Sequence, residues 1–379
     1  MLVRARVRSR ALRSGRVGLL SLLLFLVSAS PGRSADFLQE DGFFRVSIGG
    51  QTFRLEGITV KRADATGRLP VALITPGKAP NLQNMLDQHA IDYVGQAKDL
   101  ANRGWLAVVV IRRGFGQSDG PMPSPMTCES TSFVERFSAD ADDLQATLDF
   151  IARRTDADPT RMIAIGVSAG GAAVVALSSR NPTNLRGVIN ISGGLRMESC
   201  PKEDALVQAF KEFGAKSRVP TLWTYAKNDS FFGPELVGRM RNAFLDAGGD
   251  VKLVMFDPMG TDGHTALFGS GDGRLKWLRE MDAFLRFRKL PTWQRKDVDA
   301  LLKKLNAVEQ KRGFVENFVA APFEKALARV SADNSMYDGY GSKTIDAARN
   351  RALDGCRKNK PQAQCVIVME NNDWVGSTQ

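Results

Sequence analysis

Apolar residues in this chain fall into short continuous runs, separated by stretches in which they recur with helical spacing. The runs 71–74, 106–111, 162–165, 187–191, 221–225 and 251–256 are apolar or nearly so. Runs of that length, bounded by turn residues, read as strands buried on both faces of a sheet. Between them, residues such as Leu144, Leu148 and Ile151 recur at steps of four and three, the mark of an amphipathic helix. Upstream, 43–48 and 52–60 alternate polar and apolar around Gly49-Gly50, a hairpin signal. Strands alternating with helices predict an α/β fold, a mostly parallel sheet covered by helices on both faces.

The pattern changes after residue 290. A helix over 281–287 closes the alternating region, and Leu290-Pro291 ends it. A charged helix is predicted over 295–311, with Val298, Leu301, Leu302 and Leu305 on one face. Then come a strand at 326–330, a Gly/Ser/Asp-rich turn, a helix at 344–353 and a strand at 365–369. The expected organisation is a leader (1–35), an α/β domain (36–290), a helical linker (291–312) and a small C-terminal α+β domain (313–379). A unit as small as the last has a marginal core and gains from a crosslink.

Charge changes the picture chiefly at the amino end. Residues 1–35 carry seven arginines and no acid, followed after the sixth by an apolar block over 17–27. A basic region before a compact apolar core and small residues describes a secretory signal peptide, with an uncleaved membrane anchor as the alternative. The block is short for a transmembrane span. Removing the leader's seven arginines from a net charge of +11 leaves +4. That residue of charge, with no basic run interleaved with aromatics, gives no case for nucleic acid. Four cysteines fit an oxidising compartment. Cys128 and Cys200 both fall in loops at one end of the predicted sheet, and Cys356 and Cys365 lie close together near the C-terminus. Four cysteines allow three pairings, and the sequence does not choose among them. No C-x-x-C and no histidine cluster points to a metal.

Candidate chemistry centres on Gly166-Val167-Ser168-Ala169-Gly170, which follows an apolar strand and opens a small-residue helix. This is the G-x-S-x-G nucleophile elbow, in which a tight strand-to-helix turn lifts the Ser168 hydroxyl above the sheet edge. A Cβ at Gly166 or Gly170 is expected to collide with nearby backbone. A serine hydroxyl needs a base held by a carboxylate. The chain has two histidines. His264 follows the run 251–256 closely; His89 lies in 85–94, which reads as an amphipathic helix with His89 on its surface. Among acids, Asp257 and Asp262 are near His264 in sequence, whereas Asp229 follows the run ending at 225 and completes the order Ser, acid, His. Ser168, Asp229 and His264 are the expected triad. The oxyanion is expected to meet the N–H of Ala169 and, from the loop after the first parallel strand, that of Lys78. Arg112 and Arg113 either recognise an acidic substrate group or brace their loop.

Four blocks together resemble a known family: Ile111-Arg-Arg-Gly-Phe-Gly-Gln-Ser-Asp-Gly120, the Ser168 elbow, Tyr225-Ala-Lys-Asn-Asp-Ser230 and Thr261-Asp-Gly-His-Thr-Ala-Leu-Phe268. Over residues 43 to 290 the chain resembles an α/β-hydrolase of the dienelactone-hydrolase-like group, in a secreted bacterial branch. Dienelactone hydrolase itself uses a cysteine where this chain has Ser168. The resemblance therefore implies an esterase mechanism without implying a dienelactone substrate. The tail resembles a small cysteine-paired domain that ends other secreted bacterial proteins; in this chain it is expected to dock on the hydrolase, to bind a partner or cell-wall component, or to stabilise the chain. The expectation is a secreted or periplasmic serine hydrolase of small-molecule carboxylic esters, without metal or organic cofactor and without stable membrane insertion once its leader is removed. A peptidase or amidase on the same machinery is the nearest alternative. A non-catalytic binding protein on the same scaffold is the other.

Overall fold

The computed structural model describes residues 37–78, 81–121, 126–197, 200 and 203–376. The expected leader falls outside the described residues. Residues 36 to 379 form one compact unit.

The predicted hairpin is β1 (Phe37–Ile48) and β2 (Gln51–Arg62), joined with Ile48 opposite Gln51. Gly49 and Gly50 take φ of 56° and 80°, the two successive positive values that a tight primed turn requires and that glycine adopts without strain. The remaining strands of this sheet are β3 (Leu69–Thr75), β4 (Leu106–Val110), β5 (Ala157–Val167), β6 (Leu185–Ile191), β7 (Thr221–Ala226) and β8 (Val251–Phe256). They lie in the order β1-β2-β4-β3-β5-β6-β7-β8, with the β1–β2 and β2–β4 pairs antiparallel and the remaining pairs parallel. This is the α/β-hydrolase fold.

The near-continuous apolar runs are explained by burial on both faces. Along β4, Leu106, Val108 and Val110 enter one core while Ala107 and Val109 enter the other. The helices are α1 (Leu82–Leu86), α2 (Val94–Ala101), α3 (Ser130–Ile151), α4 (Ala169–Ser178), α5 (Asp204–Lys216), α6 (Pro234–Asp246), α7 (Gly263–Gly269) and α8 (Gly271–Phe287). Side chains of α3, α4, α5 and α6 fill the first core; those of α2, α7 and α8 fill the second.

The helix expected over 85–94 is interrupted at His89. Residues 90–93 form a separate 3-10 turn whose first N–H groups are claimed by acids. Asp92 accepts the His89 N–H at 2.9 Å, and Glu56 on β2 accepts the Ala90 N–H at 2.9 Å. The Glu56 carboxylate also sits 3.2 Å from His89 Nδ1. His89 is thus a loop anchor, and its surroundings come from a strand more than thirty residues away, which periodicity does not register.

Beyond α8 the chain adds α9 (Arg295–Lys304), α10 (Arg312–Ala320), β9 (Ala326–Val330), β10 (Met336–Gly339), α11 (Ile345–Asn359), β11 (Cys365–Glu370) and β12 (Asp373–Trp374). These strands form a second, antiparallel sheet in the order β10-β9-β11-β12. Ala348, Ala352 and Cys356 of α11 pack on Ala326, Ala328 and Val330. The stripe Val298, Leu301, Leu302 and Leu305 buries with Val315 and Phe318 of α10 and with Leu327, Val368 and Met369. Strand β10 and helix α10 join the elements predicted for this region, and α11 runs six residues past the predicted helix end.

Candidate active site

The turn between β5 and α4 is as tight as the elbow motif demands. Ser168 sits at φ 55°, ψ −126°, a region that non-glycine residues rarely occupy. Such strain persists only where the surroundings over-determine it. Here they do: Ser168 N–H donates to the Ile191 carbonyl, and its own carbonyl accepts from Gly194 and Ala172. Small residues let the elements close around it. A Cβ on Gly166 would come 2.0 Å from the Gly170 carbonyl oxygen, and one on Gly170 would come 2.4 Å from that of Pro76.

Asp229 and His264 meet directly. Asp229 follows β7 and is buried; His264 is the second residue of α7, beyond β8. His264 Nδ1 lies 3.0 and 3.1 Å from the two Asp229 oxygens. One of these, Oδ1, also accepts the N–H groups of Phe231 and Phe232 at 2.9 and 3.0 Å, which fixes the carboxylate. Asp257 and Asp262 do other work. Asp257 is paired with Lys227 at the surface. Asp262 caps α7, accepting the His264 N–H at 3.0 Å and that of Ser230 at 3.1 Å. Partial burial pushes the Asp262 carboxyl up, but those two N–H donors outweigh it and hold it below the usual range.

Asn228 ties the acid loop to the histidine loop and was not apparent in the sequence. Its side chain accepts the Met259 N–H and donates to the Met259 carbonyl, and its backbone carbonyl accepts from Gly263. Phe232 joins this half of the site to the elbow. Its ring centroid is 5.6 Å from that of His264, and a Cβ on Gly194 would come 2.5 Å from its Cε1, where Gly194 N–H bonds the Ser168 carbonyl. Phe231, about half exposed, places its ring 4.6 Å from the imidazole. Ser168, Asp229 and His264 therefore share the carboxyl ends of β5, β7 and β8.

The loop after β3 lies against Ser168. A Cβ on Gly77 would come 2.8 Å from Ser168 Cβ, so only glycine allows this approach. Lys78 follows on the exposed side. Gln88 Nε2 donates to the Gly77 carbonyl at 3.4 Å and to the Tyr93 hydroxyl at 2.7 Å. Arg112 is buried, donating to Thr75 Oγ1 and the Pro76 carbonyl, both at 2.6 Å, with Asp140 3.3 Å from its Nε. Arg113 bonds Asp143, whose carboxyl burial pushes up to about 6 against the pull of that guanidinium. Both arginines are engaged inside the protein, as braces of the loops beside Ser168.

Two disulfides are formed, Cys128–Cys200 and Cys356–Cys365. The first links the segment before α3 to the one after β6. Among the described residues, no helix is long and apolar enough to cross a membrane.

Residues 86–221 match the family described as serine aminopeptidase, S33. That stretch contains the elbow and ends before Asp229 and His264. No curated protein matches the chain. Among solved structures, an esterase 2 of Thermogutta terrifontis phosphorylated by paraoxon is 17% identical with a TM-score of 0.47, covering 68% of this chain and 96% of its own. An acetyl xylan esterase from Paenibacillus sp. R4 is 16% identical with a TM-score of 0.46, covering 69% and 86%. A dienelactone hydrolase candidate from Klebsiella pneumoniae is 18% identical with a TM-score of 0.45, covering 65% and 98%.

Proposed function

We propose that this protein is a secreted serine hydrolase of small carboxylic esters, working through Ser168, His264 and Asp229. The observation that carries the reading is the Asp229–His264 contact, with Ser168 held at positive φ where β5 ends at the same edge of the sheet. Asp229 fixes the proton on Nδ1, which leaves Nε2 as the base. His264 takes the Ser168 proton as Oγ attacks the acyl carbon. The negative charge that develops on the carbonyl oxygen is met by the N–H groups of Ala169 and Lys78. The alcohol leaves with the proton from His264, forming an acyl-enzyme. Water, activated by the same imidazole, then releases the acid and restores Ser168. Two disulfides and the basic, leucine-rich leader support an oxidising compartment.

A second reading, hydrolysis of amides or peptides, is favoured by the family matched over residues 86–221. The two are separated by one experiment on the oxidised mature protein. Fluorophosphonate should label the wild type and leave Ser168→Ala unlabelled, and p-nitrophenyl esters of graded chain length should turn over. Turnover of aminoacyl p-nitroanilides above that of the esters would favour the peptidase. Absence of labelling in folded protein would overturn both.

A further inference from the structure

Three successive N–H groups after β7 are claimed by carboxylates. That of Ser230 goes to Asp262 at 3.1 Å, and those of Phe231 and Phe232 go to Asp229 at 2.9 and 3.0 Å. The Phe231 carbonyl in turn accepts from Arg196, in the segment after β6, at 3.4 Å. Both polar groups of the Phe231 backbone are therefore pinned. The two phenylalanines of this turn meet different surroundings. Phe232 is 1% exposed and packs against Gly194, whose N–H holds the Ser168 carbonyl. Phe231 is 47% exposed.

A single exposed apolar side chain is ordinary on a protein surface. What sets Phe231 apart is its place. Its ring centroid lies 4.6 Å from that of the His264 imidazole; Phe232 stands 5.6 Å from the imidazole and 6.2 Å from Phe231. Those separations put the two rings on adjacent sides of the imidazole rather than on opposite faces. Phe232 takes the side toward the elbow, and Phe231 takes a side open to solvent. Asp229 occupies Nδ1, which leaves Nε2 to meet the substrate. As the ester bond to the alcohol breaks, the alcohol oxygen takes its proton from Nε2 and must lie within hydrogen-bond reach, about 3 Å. The carbons attached to that oxygen then lie beside the imidazole, next to the Phe231 ring. A side chain fixed before its ligand arrives loses little freedom on binding. An aromatic ring gains most from another ring, offset or edge-on.

We propose that Phe231 is the specificity-determining wall on the leaving-group side of the site, selecting esters whose alcohol carries an aromatic ring. This inference rests on the reading of Ser168, His264 and Asp229 as the triad, and it narrows that reading to a substrate class. The acyl portion, attached at Ser168, plays no part in the selection.

The test compares kcat/KM for acetate esters of benzyl alcohol, cyclohexylmethanol and ethanol, using the oxidised mature chain, Phe231→Ala and Phe231→Tyr. Ethyl phenylacetate places the ring on the acyl side instead. The wild type should favour benzyl acetate over ethyl acetate by about tenfold, with the cyclohexylmethyl ester between them. Phe231→Ala should lower that ratio by about fivefold, and Phe231→Tyr, which keeps the ring, should leave it within about twofold. Ratios within one acyl series cancel any general loss of activity that a merely structural role would cause. Ethyl phenylacetate relative to ethyl acetate should change by less than about twofold in either variant. An unchanged benzyl-to-ethyl ratio in Phe231→Ala would overturn the proposal. So would a cyclohexylmethyl ester that matches the benzyl ester, or a loss confined to ethyl phenylacetate. In those cases turnover of ethyl acetate would leave the esterase reading standing. No turnover of any ester by folded wild type would defeat that reading, and this inference with it.

Discussion

Asp282 on α8 is where the C-terminal segment is most exposed to a single substitution. Its side chain is 2% accessible, and its two oxygens accept four hydrogen bonds. Arg103, from just before β4, supplies two, at 2.7 and 2.9 Å. Thr292 and Trp293, where the chain leaves the α/β region, supply the others at 2.5 and 2.9 Å. Arg103 also donates to the Ala320 carbonyl at the end of α10. Replacing Asp282 by Leu removes the counter-charge of a fully buried guanidinium and strands two further donors. Breaking one side of a buried pair costs about 3–5 kcal/mol. At about 2 °C per kcal/mol for a chain of this size, the melting midpoint should fall by about 6–10 °C. Arg103→Met should cost less, because Asp282 keeps Thr292 and Trp293. The double variant should lose less than the sum of the singles, with a coupling of about 2 kcal/mol. Circular dichroism melts and urea titrations of the four proteins measure this, and the proposed ester turnover at 25 °C should be unchanged in all. A midpoint shift below about 2 °C in Asp282→Leu, or strictly additive losses, would refute the reasoning.

Other expectations follow from individual contacts. Asp229→Asn should lower kcat by roughly 10⁴ with little change in KM, because the amide no longer fixes the Nδ1 proton; steady-state kinetics on a p-nitrophenyl ester checks it. Replacing each disulfide by a serine pair should destabilise unequally, since the bridges span 72 and 9 residues of sequence. Loop-closure entropy gives roughly 4 kcal/mol for Cys128–Cys200 and roughly 2.5 kcal/mol for Cys356–Cys365, to be read in urea midpoints. For Lys325, the folded value near 7 lies below the ordinary 10.5. Below pH 7 the lysine is protonated in both states and its burial penalty is complete. From pH 7 to 10.5 the unfolded chain binds more protons, so its contribution to stability rises with pH. Desolvation, Arg103, Asp99 and Asp338 set that balance. The wild type should therefore gain on Lys325→Met between pH 7 and 10 in parallel melts; a difference constant with pH would contradict the assignment.

What the sequence made legible was governed by local rules. Buried parallel strands are continuous apolar runs, and the six predicted runs all became strands, with ends displaced by a few residues. The elbow is readable because its glycines are demanded within five residues of one another. Legibility failed where a partner far along the chain decides the outcome. Residues 336–339 are a strand because β9 offers an open edge; their own composition, Met-Tyr-Asp-Gly, says turn. The helix expected through His89 breaks because Glu56 captures the Ala90 N–H. Arg103, Arg274, Asp99 and Asp282 look like ordinary surface charges in a linear reading. Their partners lie 175 and 179 residues away.

Those same charges explain why residues 36–379 hold together as one unit. An apolar seam would allow the C-terminal layer to slide or detach with a loss proportional to area. This seam is instead closed at fixed points. Asp99 receives Arg274 on one oxygen and the Phe323 N–H on the other, while Trp105 Nε1 donates to the Pro291 carbonyl. Asp99 and Asp282 keep their arginines within the α/β region but receive their full set of donors only when the returning chain is in place, so partial detachment leaves buried carboxylates short of partners. The free energy of opening is thereby concentrated in a few contacts, which favours all-or-none docking over gradual fraying. Near the carboxyl ends of the strands, Tyr340 reaches Asp272 at the start of α8, immediately after the helix that carries His264. A docked second layer thus reaches the base of the helix pair that carries His264.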